Sequence, residues 1–126
     1  MKKRVGILTA GGDCPGLNAV IRSVVHRAVA DHGDEVIGFR DGWKGLLECD
    51  SVKLDLDAVG GILARGGTIL GSARGPQSPI EIVDSLERLN VSVLFMIGGD
   101  GTMRAMNGVV REIKARSLRI SVIGVP

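Results

Sequence analysis

The feature that most constrains the fold is a pattern that occurs twice. A short apolar run stops at a glycine turn and passes at once into a helical repeat. Val93 to Ile97 ends at Gly98-Gly99-Asp100-Gly101-Thr102, and Met106, Val109, Val110 and Ile113 then recur at helical spacing. Earlier, Val5 to Thr9 leads to Gly11-Gly12-Asp13, with Leu17, Ile21, Val24 and Ala28 following in the same way. Apolar runs without polar alternation suit strands buried on both faces, as in a parallel sheet. A glycine turn that delivers such a strand to a helix N-terminus suits a phosphate. Two such turns in one short chain predict a nucleotide site built from two strand ends.

The segments between them continue the alternation. Val36 to Phe39 reads as a strand reached through Gly33, Asp41 to Gly45 as loop, and Val52 to Leu54 as a small strand. Leu56, Val59 and Leu63 suggest a short helix before Gly66-Gly67, and Thr68 to Leu70 another strand. Ser78-Pro79-Ile80-Glu81 is a helix start, with a capping serine, proline at the first helical position and Glu81 to close a capping box. Ile82, Leu86 and Leu89 form its buried stripe, and Ile120 to Val125 is a last strand. Strands alternating with helices imply parallel strands joined by right-handed crossovers. The expected fold is α/β, a three-layer sandwich around a mainly parallel sheet, with ligands bound beyond the carboxyl ends of its strands. No linker interrupts residues 1–126, which read as part of one domain.

Composition narrows the function. Only 2% of the 126 residues are aromatic, so the core is expected to be aliphatic, and the stacking platforms of a single-strand nucleic-acid binder are missing. A net charge of +2 is too small to argue for nucleic acid. No apolar segment approaches membrane-spanning length, and the run after Lys2-Lys3-Arg4 breaks too early for a signal peptide. Cys14 and Cys49 read as free thiols, and a cytoplasmic location is expected.

The candidate site residues lie in three loops. Glycines such as Gly12 let backbone N–H groups approach phosphate oxygens, though a tight strand-to-helix connection would also use them. Asp100 could hold magnesium through water, or merely cap the following helix. Thr102 could cap that helix and donate to a phosphate. Arg74 sits in Gly66-Gly67-Thr68-Ile69-Leu70-Gly71-Ser72-Ala73-Arg74-Gly75-Pro76, where an arginine can bridge phosphate oxygens and stabilise transferred charge. Asn18, Arg22 and His26 share a polar helix face read as solvent or subunit contact, and His32 reads as a helix-end residue. No acyl-transfer nucleophile stands out.

Taken together, the three loops resemble those of phosphofructokinase, and the resemblance runs from about Val5 to Pro126. It rests on Gly11-Gly12-Asp13 with Pro15-Gly16-Leu17-Asn18, on Gly66-Gly67-Thr68 with Gly71-Ser72-Ala73-Arg74, and on Gly98 to Thr102. The last motif is shared with NAD kinases and diacylglycerol kinases, which lack the first. The resemblance implies magnesium-dependent phosphoryl transfer to the 1-hydroxyl of fructose 6-phosphate. It places Gly12 against the donor phosphates and Arg74 and Gly75 along the nucleotide. Gly99, Asp100, Gly101 and Thr102 become the main ATP-phosphate turn, with Asp100 serving the metal. Trp43 falls where the family often has a tyrosine near the nucleotide.

The donor can be ATP or pyrophosphate within this family. Pyrophosphate users typically carry aspartate at the position of Gly101, so glycine favours ATP, while Ser72 to Pro76 looks closer to the branch rich in pyrophosphate enzymes. In the family, Val125-Pro126 leads into a Thr-Ile-Asp-Asn-Asp-like segment whose first aspartate is the general base. On this reading the chain is the N-terminal piece of a 6-phosphofructokinase and is inactive alone. An NAD- or lipid-kinase type and a non-catalytic nucleotide-binding module are the rival readings. A sheet cut at a strand leaves an open edge, so self-association into a homo-oligomer is expected. Arg22 resembles an effector-site residue, but His26 stands where a second arginine is common.

Overall fold

The computed structural model describes residues 3–9, 17–40, 42–56 and 78–125. Its strands are β1 (Arg4–Thr9), β2 (Glu35–Phe39), β3 (Ser51–Leu54), β4 (Val93–Ile97) and β5 (Ser121–Val125). Its helices are α1 (Leu17–Val25), α2 (Trp43–Glu48), α3 (Pro79–Arg88) and α4 (Asp100–Ala115). The strands form one sheet in the order β3-β2-β1-β4-β5. β1 pairs in parallel with both β2 and β4, and β4 in parallel with β5. The expected α/β architecture is therefore present, with one correction. β3 runs antiparallel to β2, because the six residues of α2 are too few to carry the chain back for a parallel crossover.

Both faces of the sheet are apolar, which is why its central strands read as continuous runs. Val5, Ile7 and Ile97 join a core with Ile21, Val25 and Ala28 on the α1 side. Leu8, Leu94 and Met96 point the other way, into a core shared with Ile82 and Leu86 of α3 and Val109 and Ile113 of α4. The side chains thus alternate along β1 and β4, and each strand supplies two cores. The core is not purely aliphatic. Phe39 and Trp43 are both buried in the second cluster.

Three local expectations change. Residues 42–45 are not all loop: Trp43 opens α2, and Trp43 and Leu46 bury one helix face. Two nearby glycines hide this helix from a reading by propensity. α1 continues as six residues of π-helix, His26–Asp31. Its buried stripe is Asn18, Ile21, Val25 and Ala28, so Val24 is only half-buried. Asn18, expected at a solvent or subunit face, is 2% exposed, and Arg22 and His26 are half-buried. His32 does end its helix, and Gly33 takes the positive φ of 67° that the turn into β2 needs. The helix expected around Val59 and Leu63 and the strand at Thr68 to Leu70 lie outside the described residues.

α3 begins as its sequence predicts. Ser78 is the cap, its hydroxyl accepts the Glu81 N–H at 3.5 Å, and Pro79 takes the first helical position. α3 and α4 are tied at both ends. Near the start of α3, Gly108 of α4 lets the Pro79 ring approach closely. At the far end, Arg116 donates to Glu112 at 2.7 Å and to Asp84 and Glu87 at 2.8 Å each. These carboxylates, Glu112 foremost, hold the guanidinium above its ordinary pKa, so it stays charged.

Candidate active site

The register sets the site. Thr9 pairs with Ile97, and Ile97 with Val125, so β1, β4 and β5 end level with one another. From β1 the chain runs through α1 to β2 on one side; from β4 it runs through α4 to β5 on the other. α1 and α4 cover opposite faces of the sheet. The strand order therefore reverses between β1 and β4, and a sheet of this kind opens a crevice for ligands at that point. The turn after β4 leaves the sheet there, and β1 ends there at Thr9.

The second turn can be followed residue by residue. The Gly98 N–H donates to the Val125 carbonyl at 3.1 Å, which fastens the turn to β5. Gly99 is the helix cap and Asp100 the first residue of the 16-residue α4. Glycine offers no side chain to cap the free N–H groups of the first turn, which leaves them for another acceptor. Gly99 and Gly101 are exposed, and a Cβ at either would meet nothing within 4 Å. Neither glycine is required by packing. The turn is an open cradle at the positive end of a long helix dipole.

Thr102 and Asp100 do not cap α4, because Gly99 occupies that place. Thr102 lies inside the first turn and is 5% exposed. Gly12, Arg74 and Gly75 fall outside the described residues, although Thr9 and Leu17, which bound the first turn, are both placed. Trp43 is buried in the core. A cavity of about 430 Å³ lies elsewhere, lined by Lys3, Val5, Val93 and Phe95 at the amino ends of β1 and β4, away from the glycine turns.

Among the described residues, no group of three or more His, Cys, Asp or Glu converges on a common point. That rules out an all-protein metal cage within those residues. Magnesium keeps waters and rides on phosphates, so a single acid such as Asp100, the first residue of α4, is compatible with it. Among the described residues no helix is long and apolar enough to cross a membrane.

Reading the residues alone left Gly124 unremarked. It sits on β5 opposite Met96, where a Cβ would lie 2.7 Å from the Met103 sulfur. A glycine in a short apolar strand was the available signal.

Fold and strand order together define an α/β protein whose sheet has a switch point between β1 and β4. A family model described as Phosphofructokinase matches residues 4–126, and the chain belongs to that family. It is 69% identical over 109 residues to ATP-dependent 6-phosphofructokinase 3 of Streptomyces coelicolor, covering 81% of this chain and 31% of that protein. To the pyrophosphate–fructose 6-phosphate 1-phosphotransferase of the same organism it is 48% identical, covering 98% of this chain and 36% of that one. Among solved structures, phosphofructokinase from Saccharomyces cerevisiae matches with a TM-score of 0.81 at 26% identity, over 98% of this chain and 20% of that chain. A pyrophosphate-dependent phosphofructokinase from Marinobacter aquaeolei shares the fold, with a TM-score of 0.90 at 21% identity over 98% of this chain and 33% of that one. The chain thus spans about a third of the length of its curated bacterial relatives.

Proposed function

We propose that this chain forms the phosphate-donor side of an ATP-dependent 6-phosphofructokinase, which transfers the γ-phosphoryl group of ATP to the 1-hydroxyl of fructose 6-phosphate. The observation that carries this is the cradle at Gly99 and Gly101. Glycine in the first turn of a helix costs about 1 kcal/mol relative to alanine. Among the described residues, nothing lies within 4 Å of a Cβ at either position. Room kept open at a helix N-terminus, at the switch point of the sheet, suits a donor phosphate.

In this reading the N–H groups of the turn hold and orient the donor oxygens, and the α4 dipole favours their charge. Asp100 holds magnesium, which supplies charge neutralisation on the donor when bound. Gly12 lies against the phosphates, Arg74 stabilises the transferred charge, and Gly75 lines the nucleotide. Phosphoryl transfer needs positioning and neutralisation more than covalent chemistry, and this turn is built for both. We expect the chain alone to turn over no sugar phosphate, since it spans about a third of the length of its curated bacterial relatives. A coupled assay on the purified chain is expected to show no fructose 1,6-bisphosphate; formation at ordinary enzyme turnover would overturn this.

ATP is the preferred donor on two grounds: Gly101 leaves room beyond the second phosphate, and the relatives 69% and 53% identical are named ATP-dependent. Pyrophosphate is the second reading, supported by relatives named for that donor at 48% and 47% identity. Calorimetric titration with magnesium-ATP and magnesium-pyrophosphate separates the two. Among the described residues β5 is the last strand of the sheet, and Ile123 on it is 42% exposed, which supports self-association into a homo-oligomer in the cytoplasm. Light scattering showing only monomer would count against it.

A further inference from the structure

The turn is held by β5 at a second point besides the Gly98 to Val125 hydrogen bond. Gly124 faces α4. A Cβ on it would lie 2.7 Å from the Met103 sulfur, 2.9 Å from the Met106 sulfur and 3.2 Å from Met103 Cε. Met103 directly follows Thr102, and Met106 lies one turn further on. Two methionines from the start of α4 therefore close over one bare backbone position on the last strand. Both contacts are the ends of flexible, half-buried side chains, so a Cβ there displaces the two methionines together.

The rest of α4 is pinned. Pro79 presses on Gly108, where a Cβ would lie 2.9 Å from the ring. Val109 and Ile113 are buried in the core, and Arg116 is clasped by three carboxylates beyond the last turn. Extra volume under Met103 and Met106 cannot be relieved by sliding the whole helix. It falls on the two methionines and on the first two turns that carry them, which also carry the glycine cradle.

We infer that Gly124 is a positioning residue for the Gly98–Thr102 turn. By letting Met103 and Met106 lie flat on β5, it sets how closely the N-terminus of α4 approaches the sheet, and so where the N–H groups of the cradle stand. Its consequence for binding rests on the donor-phosphate reading above; the positioning itself does not. A misplacement on the order of 1 Å at a positioned group can cost about a hundredfold in function.

The test compares Gly124→Ala with Met103→Ala/Gly124→Ala, alongside Met103→Ala and the unmodified chain. Removing the Met103 side chain gives the new methyl, and the Met106 sulfur, somewhere to go. The first readout needs no ligand: the amide resonances of Gly99, Gly101 and Thr102. They are expected to move in Gly124→Ala, more than those around Lys114, and to return in the double variant. The second is magnesium-ATP affinity, expected to fall about tenfold in Gly124→Ala and to recover to within about threefold of Met103→Ala in the double variant. Unmoved turn amides in Gly124→Ala overturn the inference, whatever the melting temperature does. If Gly124→Ala does not fold, a double variant that also fails overturns it, because the methionine would then not be what the methyl meets. A double variant that folds and keeps native turn resonances supports it. Should the unmodified chain bind no magnesium-ATP while the turn amides still move and return, the donor reading fails and the positioning stands.

Discussion

The glycines inside this fold and the glycines at its edge are present for opposite reasons. At Gly6, in the middle of β1, a Cβ would lie 2.9 Å from the Phe39 ring, and at Gly45 it would strike the Arg40 backbone. These glycines are required by neighbours. At Gly99 and Gly101 a Cβ would meet nothing within 4 Å, and neither position has positive φ. Gly101 weakens the first turn of α4, whereas Gly99 suits the cap position, and among the described residues neither is required by a packing neighbour. The lesson is that a glycine-rich sequence holds two populations, and only the structure separates them. The second population lies where β4 passes into α4.

That contrast is most easily broken by adding side chains to each population. Gly45→Ala is expected to have the largest effect, a loss of at least about 3 kcal/mol or failure to fold, because the obstacle is backbone and cannot rotate away. Denaturant unfolding measures it, and a variant within about 1 kcal/mol of the parent would show that α2 shifts freely. Gly6→Ala should cost less, about 1–2 kcal/mol, since the Phe39 ring can yield by a few tenths of an ångström.

Gly101→Ala should reverse the sign and stabilise the fold by about 0.5–1 kcal/mol, through helix propensity alone. The same variant should bind magnesium-ATP more weakly than the parent. A stabilised variant with undiminished affinity would detach the open glycine from any ligand.

The smallest effect sharpens the contrast between the two ends of α4. Arg116→Leu should lower the melting temperature by less than Gly6→Ala does, because the clasp is partly exposed. Its pKa is raised on folding, so its contribution is fully present below the unfolded value and lost only as pH rises beyond that. The difference in melting temperature between parent and variant should therefore be constant from neutral pH to about pH 10. A difference that collapses within that range would mean that something other than the guanidinium carries it.

Much of this was legible in the residues, and the exceptions have physical causes. Val93–Ile97 has the boundaries its apolar run predicts. Ser78-Pro79 starts α3 because capping chemistry is local. α2 was hidden because its stability comes from Trp43 and Leu46 packing in the core, against the propensity of its glycines. The antiparallel β3 depended on the length of a helix that had not been foreseen. The cradle itself was readable as a motif. What fixes it in place was not, because Met103, Met106 and Gly124 are brought together only by the pairing of β4 with β5.

The most direct test of the central claim is calorimetric titration of magnesium-ATP into the chain and into Gly101→Asp. A Cβ at this position meets no atom of the described residues within 4 Å, and an acid in the first turn of a helix favours the dipole, so folding should survive intact. If the turn after β4 receives the donor phosphates, the parent binds saturably and the new carboxylate weakens binding at least about tenfold by placing like charges together. Equal affinity of the two proteins for magnesium-ATP would contradict the account, because the cradle would then not be where the phosphates lie.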